Sequence, residues 1–75
     1  MTRLPSLTGA QIIKALGKEG FQVIRQKGSH IYLKHQDGRA TVVPIHKGES
    51  LGRGITRKII QDAELSREEF LKLLE

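Results

Sequence analysis

The sequence predicts an α+β fold of order α-β-β-β-α, with a three-stranded antiparallel sheet and a short extra helix at the C-terminus. Three observations predict it. Two stretches open with capping signatures, at Thr8 and at Ser66, and continue with apolar residues at helical spacing. Between positions 21 and 45, runs rich in β-branched and aromatic residues are separated by two turn-forming pairs, Gly28-Ser29 and Asp37-Gly38. A charged, glycine-bearing loop then gives way to isoleucines at helical spacing from Ile55.

Taken in order, Thr8 with Gln11 has the form of a capping box, and Leu7 with Ile12 fits the hydrophobic staple around it. Ile12, Ile13 and Leu16 form one stripe, and Gly20 is placed to end the helix. Gly17-Lys18-Glu19-Gly20 has the GxxG spacing of the KH nucleic-acid loop. That loop joins two helices and grips phosphate, whereas here a strand follows and Glu19 repels phosphate. It reads as a helix end.

Phe21 to Arg25 is the first strand, His30 to His35 the second and Arg39 to Ile45 the third. Asp37-Gly38 reads as a two-residue type I′ turn, in which both central positions need positive φ. With Gln36 facing Arg39, Leu33 opposes Val42 and Ile31 opposes Pro44, while Lys34 opposes Thr41, Tyr32 opposes Val43 and His30 opposes Ile45. Ile31, Leu33, Ala40 and Val42 are then the core face, and His30, Tyr32 and Lys34 point away from the helices. Pro44 cannot donate to a ladder, so the third strand lies at an edge or is already ending there. His35 falls on the core side as a partly exposed strand residue.

His46 to Gly54 reads as loop. Its Gly52-Arg53-Gly54 lacks the third glycine and the preceding strand of a dinucleotide site. The second helix turns Ile55, Ile59, Ile60 and Ala63 inward and carries Arg57 and Lys58 in its first turns. Cations there oppose the helix dipole, a mild cost that an anion bound at this end would offset. Ser66 with Glu69 is a second capping box, Leu65 and Phe70 its staple, and Phe70 to Leu74 the last helix.

Seventy-five residues make a single domain, 1–75, with a small core. A chain this short buries about 60% of its unfolded surface, which leaves little room for a deep cleft. Cysteine is absent, which removes disulfides, thiolate metal sites and thiol nucleophiles and suits a reducing cytosol. The N-terminus, Met1-Thr2-Arg3-Leu4-Pro5, has no apolar run of signal-peptide length, and nothing reaches membrane-spanning length. A cytoplasmic protein with no membrane partner is expected.

Thirteen basic residues against eight acidic ones give a net charge of +5. The excess sits between positions 25 and 58, where Asp37 and Glu49 are the only acids, and the C-terminal helix is acidic. A polyanion-binding face fits this distribution. The residue most open to chemistry there is His30, delivered by the Lys27-Gly28-Ser29 turn to the start of a strand. Imidazole is the side chain that titrates near neutrality unaided.

Helix–strand–strand–strand–helix with basic residues at the start of the second helix resembles the double-stranded RNA-binding fold. Gly28-Ser29-His30, Val42-Val43-Pro44-Ile45-His46, Leu51-Gly52-Arg53-Gly54-Ile55 and Leu65-Ser66-Arg67-Glu68-Glu69-Phe70, in this order and with no large gap, resemble the HicA toxin family. The resemblance implies a small RNA-cleaving toxin, an mRNA interferase encoded beside a HicB-type antitoxin that covers its active surface. The residue that carries over is the histidine of Gly-Ser-His, here His30. The linker before the second helix varies in such proteins, so no role passes to Arg53 or Glu49.

RNA carries its own nucleophile, the 2′-hydroxyl, and can be cut without metal or cofactor. A base such as His30 removes that proton, typically worth ~10²–10⁴-fold. Arg25, Lys27 and Lys34 are the candidates for stabilising charge on the phosphate oxygens. Tyr32 offers a ring for base stacking, and Ser29, Arg57 and Lys58 complete the expected RNA-binding set. His46 is a candidate second acid or phosphate contact. The three histidines lack a carboxylate at ligand spacing, so no metal is expected. Two other readings compete. A non-catalytic double-stranded RNA-binding module would tolerate loss of His30 and depend on Arg57 and Lys58. A protein-interaction domain would use an outer strip of Tyr32, Val43 and Ile45, which in the toxin reading the antitoxin buries. The free protein is expected to be a monomer.

Overall fold

The structure, a computed structural model, describes residues 4–75; Met1-Thr2-Arg3, the start of the stretch inspected for a leader and of the 1–75 domain, lies outside the described residues. The Thr8 hydroxyl accepts the Gln11 N–H at 3.2 Å while Gln11 Oε1 accepts the Thr8 N–H at 2.9 Å. Helix α1 (Gly9–Glu19) starts on this box and ends at Gly20, in the left-handed region at φ +113°. A Cβ at position 20 would lie 2.8 Å from His35 Nε2, so strain and space both demand glycine there. Ser66 and Glu69 form the second box and open the last helix.

Around α1 the chain adds β1 (Leu7–Thr8), β2 (Gln22–Lys27), β3 (His30–Lys34), β4 (Ala40–Pro44), β5 (Ser50–Leu51), α2 (Arg53–Asp62) and α3 (Arg67–Leu73). The antiparallel sheet has the order β2-β3-β4, which makes β4, with Pro44, an edge strand as expected. The α-β-β-β-α order with its extra helix is therefore observed. A second, two-stranded sheet pairs β1, which the sequence reads as staple and N-cap, with β5, which it reads as loop. Helix α2 starts earlier than Ile55, and α3 starts at Arg67 rather than Phe70, because the residue after an N-cap is already helical. Ile55 is 45% exposed and Thr56 takes the core position beside Ile59, Ile60 and Ala63.

The β3–β4 register differs from the expected one by one residue. His30 pairs with Pro44, Ile31 with Val43, Tyr32 with Val42, Leu33 with Thr41 and Lys34 with Ala40. The cause is the turn. The His35 N–H bonds to Arg39 O at 2.8 Å and the Gly38 N–H to His35 O at 3.0 Å, leaving a three-residue loop, Gln36-Asp37-Gly38, with Gly38 at φ +102°. This is a type I turn closed by a left-handed glycine rather than a two-residue turn. A one-residue slip moves a strand's side chains to the other face. The core face is Ile31, Leu33, Thr41 and Val43, and Ala40 and Val42 point outward. The expected outer strip of Tyr32, Val43 and Ile45 is overturned: Val43 is fully buried and Ile45 packs against the core.

Arg39, beside that turn, ties the sheet to the C-terminal ends of α1 and α2. Its Nε donates to Asp37 Oδ2 at 2.8 Å, Nη1 to Ala63 O at 2.7 Å and Nη2 to Glu19 Oε2 at 3.2 Å, with the guanidinium 5.2 Å from the Phe21 ring centroid. Desolvation works against its charge, but the bonds to Glu19 and Asp37 outweigh that and hold its pKa above the ordinary value. Thr41 Oγ1 donates to Asp62 Oδ2 at 3.0 Å. The C-terminal end of α2 therefore sits at the β3–β4 turn. Its N-terminal end lies at the opposite end of the sheet, with β1, β5 and the His30–Pro44 pair.

Two outcomes check this packing. In urea denaturation Val43→Ala should cost roughly 1–3 kcal/mol, by loss of buried methyls, and Val42→Ala no more than about 0.5. Equal costs would contradict the register. The second concerns acid. The Arg39 N–H on Asp37 Oδ1, aided by the guanidinium and opposed by slight desolvation, holds the Asp37 carboxyl below its usual range. The Ser66 N–H does the same for Glu69. Groups with depressed folded pKa values bind fewer protons folded than unfolded, so their stabilisation is present above about pH 4 and fades as pH falls through the folded values. The melting temperature should drop on acidification below about pH 4, and the D37N/E69Q pair should flatten that drop. An unchanged slope would show that neither carboxylate contributes.

Candidate active site on the outer sheet face

Directly opposed residues of antiparallel strands share a face, with side chains close enough to interact. The β2–β3 ladder pairs Lys27 with His30, Arg25 with Tyr32 and Gln22 with Lys34. Arg25, Lys27, His30, Tyr32 and Lys34 thus share the face opposite Ile31 and Leu33. The slip in β4 adds Val42 and Pro44 to that face, in place of Val43 and Ile45. The ladder is broken once, between Val23 and Arg25, where Ile24 bulges out and is 58% exposed.

His30 is exposed at the first position of the central strand, with backbone held between β2 and β4. The two-residue turn before it needs Gly28 at φ +59° and is braced by Gln26 Nε2 donating to Gly28 O at 3.2 Å. Ser29 O accepts the Ile45 N–H at 2.7 Å, extending the ladder past His30. Its ring has no hydrogen-bond partner among the described residues, so both nitrogens are open to a ligand. Arg25 lies 5.2 Å from the Tyr32 ring centroid, a cation–π pair that gives the face a flat, charged platform.

The other sequence-predicted residues fall in different places. Ser29 is half-buried, with its carbonyl used in the ladder. His46 is exposed and follows Ile45, at the same end of the sheet as His30. Arg57 and Lys58 part company. Lys58 lies 3.5 Å from Asp62 Oδ2 and borders a groove of about 470 Å³ whose walls include Ile24, Val42, Ile55 and Ile59. Arg57 faces a separate concavity with Arg53 and Arg67. Arg53 is readable one turn before Arg57 on the same helix face. Arg67 is not, because α3 meets α2 only in the fold.

His35, by contrast, is committed to structure. Nε2 lies 3.1 Å from Glu19 O and Nδ1 accepts the Asp37 N–H at 3.1 Å, while the ring meets Phe21 edge-on at 5.3 Å. Among the described residues no three of His, Asp and Glu converge as a metal site, and no helix is long and apolar enough to cross a membrane.

Comparison with curated proteins gives no match. A family model, that of the HicA toxin of bacterial toxin–antitoxin systems, matches residues 9–65, which span α1, the whole three-stranded sheet and α2. With most of its length matched and the Gly-Ser-His turn inside the match, the chain belongs to the HicA toxin family.

Proposed function

We propose that the protein cuts RNA by 2′-O-transphosphorylation with His30 as general base, and that a HicB-type antitoxin neutralises it. Family membership makes the chain a toxin of a toxin–antitoxin system, in a family of ribonucleases with RNA as substrate and an antitoxin as partner. One observation carries the finer reading: an exposed, unbonded imidazole directly across a strand pair from Lys27, on a face shared with Arg25, Tyr32 and Lys34.

The chemistry follows from that arrangement. His30 takes the 2′-hydroxyl proton, the 2′-oxygen bonds to phosphorus, and the P–O5′ bond breaks. The 5′-oxygen leaves with a proton from an acid, a part His46 or the protonated His30 can fill. Lys27, Arg25 and Lys34 offset charge that builds on the phosphate oxygens, and the Tyr32–Arg25 platform receives a flanking base. Apart from His46, each group stands on a strand rather than a loop, so little ordering is needed when RNA arrives.

The test is RNA integrity in EDTA with wild-type protein and with His30→Ala. Wild type should cleave, and the variant should lose about 10²–10⁴-fold of the rate while still binding RNA. Binding without cleavage by either would favour the non-catalytic module. Equal cleavage by both would overturn His30 as the base and make His46 the next residue to change.

A further inference from the structure

The end of β4 has no part in the chemistry proposed for His30, yet Pro44 stands directly opposite that residue. Backbone bonds on this ladder join Ile45 N–H to Ser29 O and His35 N–H to Arg39 O. Bonded and unbonded pairs alternate along antiparallel strands, so the His30–Pro44 pair, one step from Ser29–Ile45, is unbonded. The Cα atoms of an unbonded pair lie about 4.5 Å apart, closer than those of a bonded one, with both side chains on one face. Proline fits such a position. The N–H it lacks would point away from β3, to the open edge of the sheet.

Pro44 is also held from the helix side. Gly9, the first residue of α1, packs so close that a Cβ there would collide with the Pro44 carbonyl oxygen. A half-buried ring on a backbone fixed from two sides is a rigid wall for whatever lies across from it. Across from it is the exposed imidazole of His30, which has no hydrogen-bond partner among the described residues. Its other cross-strand neighbour, Lys27, is exposed on a flexible stem and has no ring to pack.

We infer that Pro44 is the positioning residue of the site: its pyrrolidine ring packs on the His30 imidazole and selects the rotamer that faces RNA. The inference rests on His30 being the base. A hydrogen bond would orient the imidazole by occupying one nitrogen, whereas packing orients it and leaves both nitrogens for RNA. A base ordered before RNA arrives then meets the 2′-hydroxyl in a reactive geometry.

The test compares Pro44→Ala, which removes most of the ring, with Pro44→Val, which restores apolar bulk but adds the N–H that proline lacks. It reads the χ1 couplings of His30 in nuclear magnetic resonance spectra of the free protein, and kcat and KM for a short RNA. Wild type should show one His30 rotamer, Pro44→Ala an average over several, and Pro44→Val one again. In Pro44→Ala kcat should fall by up to about 10²-fold with KM little changed, and Pro44→Val should recover it. Val42→Ala, which takes bulk from the residue opposite Tyr32 instead, should leave the His30 couplings unaltered. An averaged imidazole in wild type, or a single rotamer in Pro44→Ala, would overturn the inference. So would an equal loss of kcat in both Pro44 variants, the result for a proline that only blocks the sheet edge. If His30→Ala cuts RNA like wild type, the catalytic proposal falls, while the couplings still decide whether Pro44 holds the ring. If His30→Ala is inactive and Pro44→Ala cuts like wild type, His30 stands as the base and the inference falls.

Discussion

The turn Gln36-Asp37-Gly38 decides which face each residue of β4 presents, and most of the molecule depends on that decision. The left-handed Gly38 lets a type I turn close with one more residue than a two-residue hairpin uses. Thr41 and Val43 are thereby turned under the helices, where Thr41 bonds to Asp62. The same turn sets Asp37 to accept both the Arg39 N–H and its guanidinium, and Arg39 then reaches Glu19 of α1 and the carbonyl that ends α2. In a chain with so small a core, this charged tie does work that larger domains leave to hydrophobic burial. It also holds the C-terminal end of α2 against the β3–β4 turn.

Local signals were the legible ones. Both capping boxes, the glycine ending α1 and, apart from the short β1–β5 pair, the order of elements follow from contacts within a few residues, and each is as expected from the sequence. The outward direction of His30, Tyr32 and Lys34 was also readable, because the alternation of Ile31 and Leu33 fixes the face of β3 by itself. The face of β4 was not. Its run Ala40-Thr41-Val42-Val43-Pro44 carries adjacent valines and a buried threonine, so period-two alternation cannot choose between registers, and an assumed turn length chose wrongly. Ile55 failed for a similar reason: Thr56 fits the core angle of α2, and its neighbour is left beside the groove.

The candidate site divides along the same line. Strand neighbours of His30 could be named because two residues per period keep Arg25, Lys27 and Lys34 within reach of one face. Consecutive helical residues diverge by about 100°, which sends Lys58 to Asp62 and Arg57 to the arginine hollow. Arg67 joins that hollow only through the packing of α3. What emerges is an open surface rather than a cleft: an imidazole held by two neighbouring strands, cations across the ladder from it, and a polar platform beside it. A long, flexible polyanion fits such a surface better than a small substrate that must be enclosed.

The most direct test of the account is the chemistry of the cut ends. RNA cleaved by the purified protein in EDTA should carry a 2′,3′-cyclic phosphate on the upstream fragment and a free 5′-hydroxyl on the downstream one. That pair of ends is what attack by the substrate's own 2′-oxygen must leave. A 5′-phosphate opposite a free 3′-hydroxyl would mean that water attacked instead, and that His30 does not act as the base proposed for it.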